Sequence, residues 1–515
     1  MNLFHKITSI SVCLMVIFSI HGAVQTGIAD SLIKIKNDEK NLHLPSEGVN
    51  LDMAGNEAES FQILLRSDKT ENVSININGL NNMQIRIWTV VDRFLDKPVS
   101  FVNPAGFYPD ALRKNNTVTV KPDMTERFWI TVRTPENMKK GIYKGEIILT
   151  GKNFRKNIPL TVKVRNFSLP HIGTFQVDAG LWEQFIMPVY QISSRDEFAE
   201  FIHKNWDFMS EYRISPRQQP HLIPDNGNSL KLSENYKNFV TGFEKYGFNY
   251  LNLPGAEFQK KNTDFYQRLN NYVKSNPFVK KYGLIYYADE PWGKDTKIKL
   301  AAKLQNIKKN APDVKFMVTC PPDDILKNLV DIYCIPMTEL TPDIIEKIKV
   351  FRREGSKFFG YLNTIQFSVD GAPMPLRLFF MRHFDLGFTG SLFWCMTYWK
   401  QKFNDNIPLL DPQNFSASDL KNFGTDGQLL YPGKDGFLPS VRLENARDGI
   451  EDFEYLSIAE KLAKTPQSKA AFEKIMQNIR KNFPRNIRRF NFKNSPENFR
   501  KIRTDIANFI EKNKQ

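Results

Sequence analysis

Between about Ser31 and Pro170, apolar and polar residues alternate in short runs separated by turn residues. "SFQILLRS", "VSININGL", "MQIRIWTVV", "RFWITVRT", "GEIILTG" and "IPLTVKVRNF" show the two-residue period of strands with one buried face. Short strands at this spacing, with no helical period among them, predict a β-sandwich over residues 30–170. "SLPHIGTF" then reads as a linker, and the rhythm changes. Eight apolar runs follow: "TFQVDAGLW", "RISPRQQP", "NYLNLPG", "GLIYYADE", "KFMVTC", "VDIYCIPM", "KFFGYLN" and "GSLFWCMTYW". Helix-like stretches such as Arg195–Tyr212, Asp264–Ser275, Asp295–Lys309 and Pro342–Arg353 lie between them. That alternation predicts a (β/α)8 TIM-like barrel over residues 171–463. A doubly wound open sheet is the alternative, but no glycine-rich phosphate loop opens a helix. Residues 464–515 read as a basic C-terminal helical extension.

The first 29 residues have a different pattern. Lys6 precedes an apolar run, Ile7 to Ile20, that is too short to span a bilayer and is followed by small residues. This predicts a signal peptide cleaved after Ala23 or Ala29. It implies an exported protein, periplasmic, cell-surface or extracellular, and no later run is long enough to span a membrane. Removing the signal leaves Cys320, Cys334 and Cys395, without CxxC spacing, and the seven His are scattered without HExxH. No metal site and no cofactor are expected. The hydrophobic content of 41% suffices for a folded core and argues against long disorder. The net charge is +15, of which +10 lies between Lys464 and Gln515, from 14 Lys/Arg against 4 Asp/Glu. A nucleic-acid surface would use such a stretch. For an exported chain a solvated helical face is the expectation instead, with no nucleic-acid partner.

Barrel chemistry sits at the C-terminal ends of the strands. The fourth run ends in two adjacent carboxyls, Asp289 and Glu290, with Pro291 holding the preceding residue extended. They are either a pair for acid/base work on a glycosidic bond or a strand-to-helix junction with Asp289 as a cap; position alone leaves both open. Aromatic residues around the strand ends favour the first reading. Trp292 follows the pair, Tyr287 precedes it, and Trp394, Tyr398 and Trp399 close the eighth run. Such faces suit sugar rings, although they also suit a barrel core.

Two mechanisms compete. A two-carboxylate retaining glycosidase needs a second carboxyl about 5 Å away, and the only nearby candidate is Glu339, since the seventh and eighth runs contain no acid. The alternative uses the substrate's own 2-acetamido group as nucleophile, oriented by one carboxylate while its neighbour protonates the leaving oxygen. A third possibility is a glycan-binding protein on a degenerate barrel.

Four segments carry a resemblance to a known family: "LDMAGNEAESFQILLRS", "YYADEP", "GFTGSLFWCMTYW" and, most specifically, "LLYPGKDGFLPSVRLENARDGIEDFEYL". Together they resemble glycoside hydrolase family 123 and the related domain of unknown function 4091, over most of the mature chain. Gly55 stands where the family usually has Arg, and Phe393 where it has Tyr. The resemblance implies an exo-acting, retaining β-N-acetylgalactosaminidase with acetamido-assisted catalysis. Its partner would be a glycan or glycoconjugate with terminal β-N-acetylhexosamine. It assigns amide orientation to Asp289 and general acid/base catalysis to Glu290, and it makes Asn363 a binding candidate. Arg442, Glu444, Arg447, Asp448 and Glu451 dominate the last segment; their spacing reads as a structural charge network at the start of a helix.

Overall fold

The computed structural model describes residues 24–40, 48–98, 103–217, 234–255, 263–361, 367–399, 427–482 and 495–514. Its N-terminal part has ten strands: β1 Gln25–Asp30, β2 Val49–Gly55, β3 Ala58–Arg66, β4 Glu71–Asn78, β5 Gln84–Leu95, β6 Gly106–Lys114, β7 Thr117–Val120, β8 Glu126–Arg133, β9 Gly141–Gly151 and β10 Phe154–Ser168. They form two five-stranded sheets, ordered β1-β3-β8-β5-β6 and β2-β10-β9-β4-β7. Alternating residues of both sheets meet in one apolar cluster, with Phe61, Ile63, Leu65, Phe128 and Ile130 from one and Val73, Ile75, Ile147, Leu149 and Leu160 from the other. Residues 1–23, the expected signal, lie outside the described residues. Ala29 sits within β1, opposite Gln62 of β3. Of the two expected cleavage points, only the one after Ala23 therefore leaves β1 whole.

Each of the eight later apolar runs contains one strand: β11 Gln176–Ala179, β12 Ser215–Pro216, β13 Leu251–Asn252, β14 Gly283–Ala288, β15 Phe316–Val318, β16 Ile332–Pro336, β17 Lys357–Tyr361 and β18 Gly390–Phe393. All pair in parallel, in the order β12-β11-β18-β17-β16-β15-β14-β13, which closes a barrel except between β12 and β13. Side chains take over at that seam. Ser215 Oγ accepts from the amides of Asn249 (3.1 Å) and Tyr250 (3.3 Å), and Gln176 Nε2 donates to the Asn249 carbonyl at 2.6 Å. Tyr250, Leu284, Met317, Ile332, Cys334, Phe359, Tyr361 and Leu392 fill the interior. The opposite faces of the strands join the core shared with the surrounding helices. Cys320, Cys334 and Cys395 are all buried free thiols.

The helix Val441–Leu462 joins the two parts. Ser440 caps it, its hydroxyl accepting from the Leu443 amide at 3.0 Å. Nearly every residue up to Ala459 is buried, the charged ones included, so those charges need partners inside the protein. Arg442 makes a two-pronged contact with Asp110 on β6. Glu444 accepts from Ser60 and Thr131 and pairs with Arg447 at 2.7 Å. Arg447 also binds Asp448, and Glu451 meets Arg213 at 2.9 Å while accepting from the Ala58 amide. Arg377 lies between Glu59 (2.7 Å), Asp448 (3.4 Å) and Asp452 (2.7 Å).

The C-terminal helix Pro496–Asn513 exposes Lys501 and Lys512, as expected of a solvated face, but turns two arginines inward. Its Phe499, Ile502, Ile506 and Ile510 pack against Leu456 and Ala459. Arg500 pairs with Asp30 and Glu59, and Arg503 with Glu57 and Asp452. These two arginines serve the interior rather than a solvated face, because the acids opposite them come from β1, β3 and the long helix. Residues 483–494, most of the basic aromatic run, lie outside the described residues.

Two predictions follow from these buried groups. Arg377→Leu leaves three carboxylates short of a partner and is expected to lower unfolding stability by about 3–5 kcal/mol, measured by denaturant titration. His383 is fully buried among Phe175, Phe379 and Phe388. Burial pulls its pKa down to about 4, against partial support from the Phe379 carbonyl. The unfolded chain therefore binds this proton first as pH falls. Stability present above pH ~6.5 should decline toward pH ~4, by roughly 3 kcal/mol, and His383→Asn should flatten that decline.

Candidate active site

Strand β14 turns Leu284 and Tyr286 into the barrel and Ile285 and Tyr287 out toward the helices. Strict alternation would keep the next two carboxyls on opposite faces. Two irregularities prevent this. The pairing of β14 with β15 slips between Tyr286 and Ala288, and Glu290 adopts a left-handed backbone with φ +42°. For a non-glycine residue that conformation costs about 1–2 kcal/mol. Hydrogen bonds hold it: the Glu290 amide donates to Thr319 Oγ1 at 2.6 Å, and the Trp292 amide to the Glu290 carbonyl at 2.8 Å.

Both carboxyls consequently reach the same mouth. Tyr286 donates its hydroxyl to Asp289 Oδ1 at 2.6 Å, and Thr319 donates to the same oxygen at 2.8 Å. Tyr361, from the end of β17, donates to Glu290 Oε1, and Trp292 Nε1 lies 3.3 Å from Glu290 Oε2. Burial raises the pKa of both phenols well above the usual tyrosine range, and the carboxylate each one bonds adds to the shift. Each therefore stays a hydrogen-bond donor at any working pH. Behind Tyr286 sits Arg217, 5.4 Å from the ring centroid. Its guanidinium donates to Asp178 Oδ1 (2.7 Å) and to the Phe393 and Trp394 carbonyls (3.2 and 3.4 Å). The strand ends of β11, β12, β14, β15, β17 and β18 thus converge on one polar cluster.

The structure brings together Asp289, Glu290 and Trp292, the last 48% exposed. Trp394 and Tyr398 are half-buried and in contact, with ring centroids 5.5 Å apart, and Phe185 meets the other side of Tyr398 at 4.9 Å. Trp399 and Tyr287, both expected at the sugar, are buried. Trp399 is 1% exposed, its Nε1 donates to the Leu430 carbonyl at 2.8 Å, and its ring packs on Tyr190 and Phe437. It is a core residue, because the chain turns after β18 and carries it behind the mouth. Tyr287 is buried edge-on against Phe316 on the outer face of β14. There it lines a cavity of about 350 Å³ together with Asp289, Glu290, Lys299 and Lys303. Asn363 lies outside the described residues. Glu339 sits half-buried on the turn Met337–Glu339 after β16, where its charge adds to the upward shift of Tyr361.

Asp178, Arg217, Tyr286, Thr319 and Tyr361 were not singled out from sequence. Each is nevertheless a polar residue at or near the C-terminal end of a predicted strand, which is the one signal that could have found them. A cavity of about 780 Å³ lies at the opposite end of the barrel, against the C-terminal helices. Its charges are largely matched, Asp385 pairing with both Arg382 and Arg480. Among the described residues no group of three or more His, Cys, Asp or Glu is placed to hold a metal ion.

The model of the glycoside hydrolase 123 catalytic domain matches residues 166–459, more than half of the chain. In structure the chain is similar to a family 123 glycoside hydrolase from Clostridium perfringens, described for its hydrolysis of glycolipid glycans. The TM-score is 0.68 at 15% identity, covering 95% of this chain and 97% of that one. A β-glucuronidase from Parabacteroides merdae aligns with 85% of this chain and 51% of its own at a TM-score of 0.29 and 10% identity, too low to bear on the fold. No curated protein matches by sequence.

The two neighbouring tyrosines give a direct check on the geometry. Tyr286→Phe removes a donor to Asp289 and should lower glycoside turnover by about 10–100-fold. Tyr287→Phe should leave turnover within about twofold, since its hydroxyl lies outside the barrel; steady-state kinetics distinguishes the two.

Proposed function

The chain belongs to glycoside hydrolase family 123, and on that premise we propose that it is an exported, exo-acting enzyme releasing β-linked N-acetylgalactosamine with retention. Asp289 accepts the acetamide N–H and turns the acetamide carbonyl oxygen toward the anomeric carbon. That oxygen attacks as Glu290 gives its proton to the glycosidic oxygen, so the aglycone leaves as an alcohol and an oxazolinium forms. A proton passes to Asp289, giving the neutral oxazoline. Glu290, now a carboxylate, takes a proton from water as the water oxygen attacks the anomeric carbon and the ring C–O bond breaks, while Asp289 returns its proton to the nitrogen and restores the acetamide. The two inversions at the anomeric carbon give net retention.

One observation carries this reading: two consecutive carboxyls are turned to one mouth, and a single hydroxyl, Thr319 Oγ1, bonds both the Asp289 carboxylate and the Glu290 backbone amide. That suits a substrate which brings its own nucleophile between an orienting carboxylate and a proton donor. The described hydrolysis of glycolipid glycans by the Clostridium perfringens enzyme supports a glycoconjugate substrate. A second reading rests on Glu339, half-buried on the turn that follows β16: a two-carboxylate glycosidase with Glu290 as acid/base and Glu339 as nucleophile.

The test is a panel of aryl β-N-acetylgalactosaminide, β-N-acetylglucosaminide and plain β-galactoside. Cleavage of the first, inhibition by a thiazoline analogue and loss of about 10²–10⁴-fold in Glu290→Gln are the expected results. Cleavage of the plain galactoside alone would reject acetamido assistance. Sugar binding without turnover in the wild type would point to a glycan-binding protein instead.

A further inference from the structure

We propose that Thr319 is a positioning residue that sets the relative orientation of Asp289 and Glu290; this deepens the reading above and rests on it. Thr319 follows β15 and is 1% exposed. Its own backbone is fixed, the amide donating to the Ala288 carbonyl at 3.2 Å on the neighbouring strand. The hydroxyl has one proton and two lone pairs, and both kinds of capacity are engaged. Oγ1 accepts the Glu290 amide at 2.6 Å, which commits its proton to Asp289 Oδ1 at 2.8 Å. One atom thereby ties the backbone of the proton donor to the side chain of the orienting carboxylate.

Two consequences follow for the chemistry. Tyr286 and Thr319 both donate to Oδ1 of Asp289, while among the described residues no hydrogen bond is made to Oδ2. The second oxygen is the one left to accept the acetamide N–H, and its direction is set by what grips the first. The hydrogen bond from Glu290 also stabilises the left-handed φ of +42° that carries its side chain to the mouth. Without it that residue is free to relax toward the ordinary extended region. The β-branched side chain suits this task, because restricted χ1 freedom pre-orients the hydroxyl. Nothing in this arrangement requires Thr319 to touch the sugar.

The experiment compares Thr319→Val, which keeps the shape and removes the hydroxyl, with Thr319→Ser, which keeps the hydroxyl. On the aryl β-N-acetylgalactosaminide, Thr319→Val should lower kcat about 10–100-fold and weaken thiazoline inhibition by a comparable factor. Thr319→Ser should recover both to within about fivefold. Should Thr319→Val fail to fold, Thr319→Ala replaces it in the same comparison. A kcat within twofold of wild type would overturn the proposal, as would a serine variant as impaired as valine. So would a fall in kcat with unchanged thiazoline affinity, because Asp289 would then be oriented without the hydroxyl. A wild type inactive on every N-acetylhexosaminide sinks the functional reading instead. Thr319 is then judged by the same kcat comparison on the glycoside the wild type does cleave.

Discussion

Buried charge is the constraint on which the rest of this molecule depends. Arg377, Arg500 and Arg503 meet Glu57, Glu59, Asp448 and Asp452 where β3, the helix Pro373–Leu386, the long helix and the C-terminal helix come together. Glu57 also accepts from the Tyr455 hydroxyl at 2.6 Å. Charges taken out of water cost several kcal/mol each unless geometry supplies partners. A sheet, a barrel and a terminal helix that share such a lattice cannot shift independently. Two of the quoted sequence segments, Leu51–Ser67 and Leu429–Leu456, thereby acquire a common explanation. Glu57 of the first accepts from Tyr455 of the second, and Ser60 bonds Glu444 and Arg447, so the segments meet in one interface although far apart in the chain.

The same lattice reaches the mouth of the barrel. Arg442, held by Asp110, also donates to the Gln428 carbonyl, and Arg93 donates to the Gln428 side chain at 2.7 Å. The amides of Leu429 and Leu430 donate to the Met396 carbonyl at 3.1 and 3.0 Å. Those contacts fix the turn after β18 that carries Trp394 and Tyr398. A charge contact in the sheet region therefore positions aromatic faces at the C-terminal mouth of the barrel. The reading of Arg442 to Glu451 as structural is consistent with this: none of them lies at the mouth, yet they hold the segment that does.

What the sequence made legible follows the physics of each signal. Eight strands could be found because each is a short apolar run, and burial on both faces leaves nothing else for such a run to do. The phase of a strand is harder to read. Tyr286 and Tyr287 are adjacent and chemically identical, and only the three-dimensional register tells which one faces the interior. Trp394 and Trp399 raised the same difficulty, since β18 ends at Phe393 and the turn beyond it has no period to extrapolate. The basic C-terminal stretch was legible in part: its described lysines are exposed, but Arg500 and Arg503 turn to acids of the fold. Composition records its charge but not the acids from Asp30, Glu57 and Glu59 that the fold sets opposite it. The left-handed turn at Glu290 left no mark in the sequence: Pro291 predicts an extended residue before it, and the structure overturns that with φ +42°.

The seam between β12 and β13 shows why the least regular part of the barrel is also the most polar. Where ladder bonds are present, backbone groups satisfy one another and side chains are free to be apolar, as on β16 and β17. At the seam the backbone groups need other partners, and Ser215, Gln176 and Asn249 provide them. Asp178 and Arg217 lie just above, and Arg217 spans from β12 across β11 to the carbonyls that follow β18. Its cation then stacks beneath Tyr286, the residue that grips Asp289. The polar groups that compensate for an open ladder thus adjoin, through the pairing of Ser215 with Asp178, those that orient Asp289 and Glu290. Closure of the barrel and alignment of the carboxyls rest on neighbouring sets of side chains.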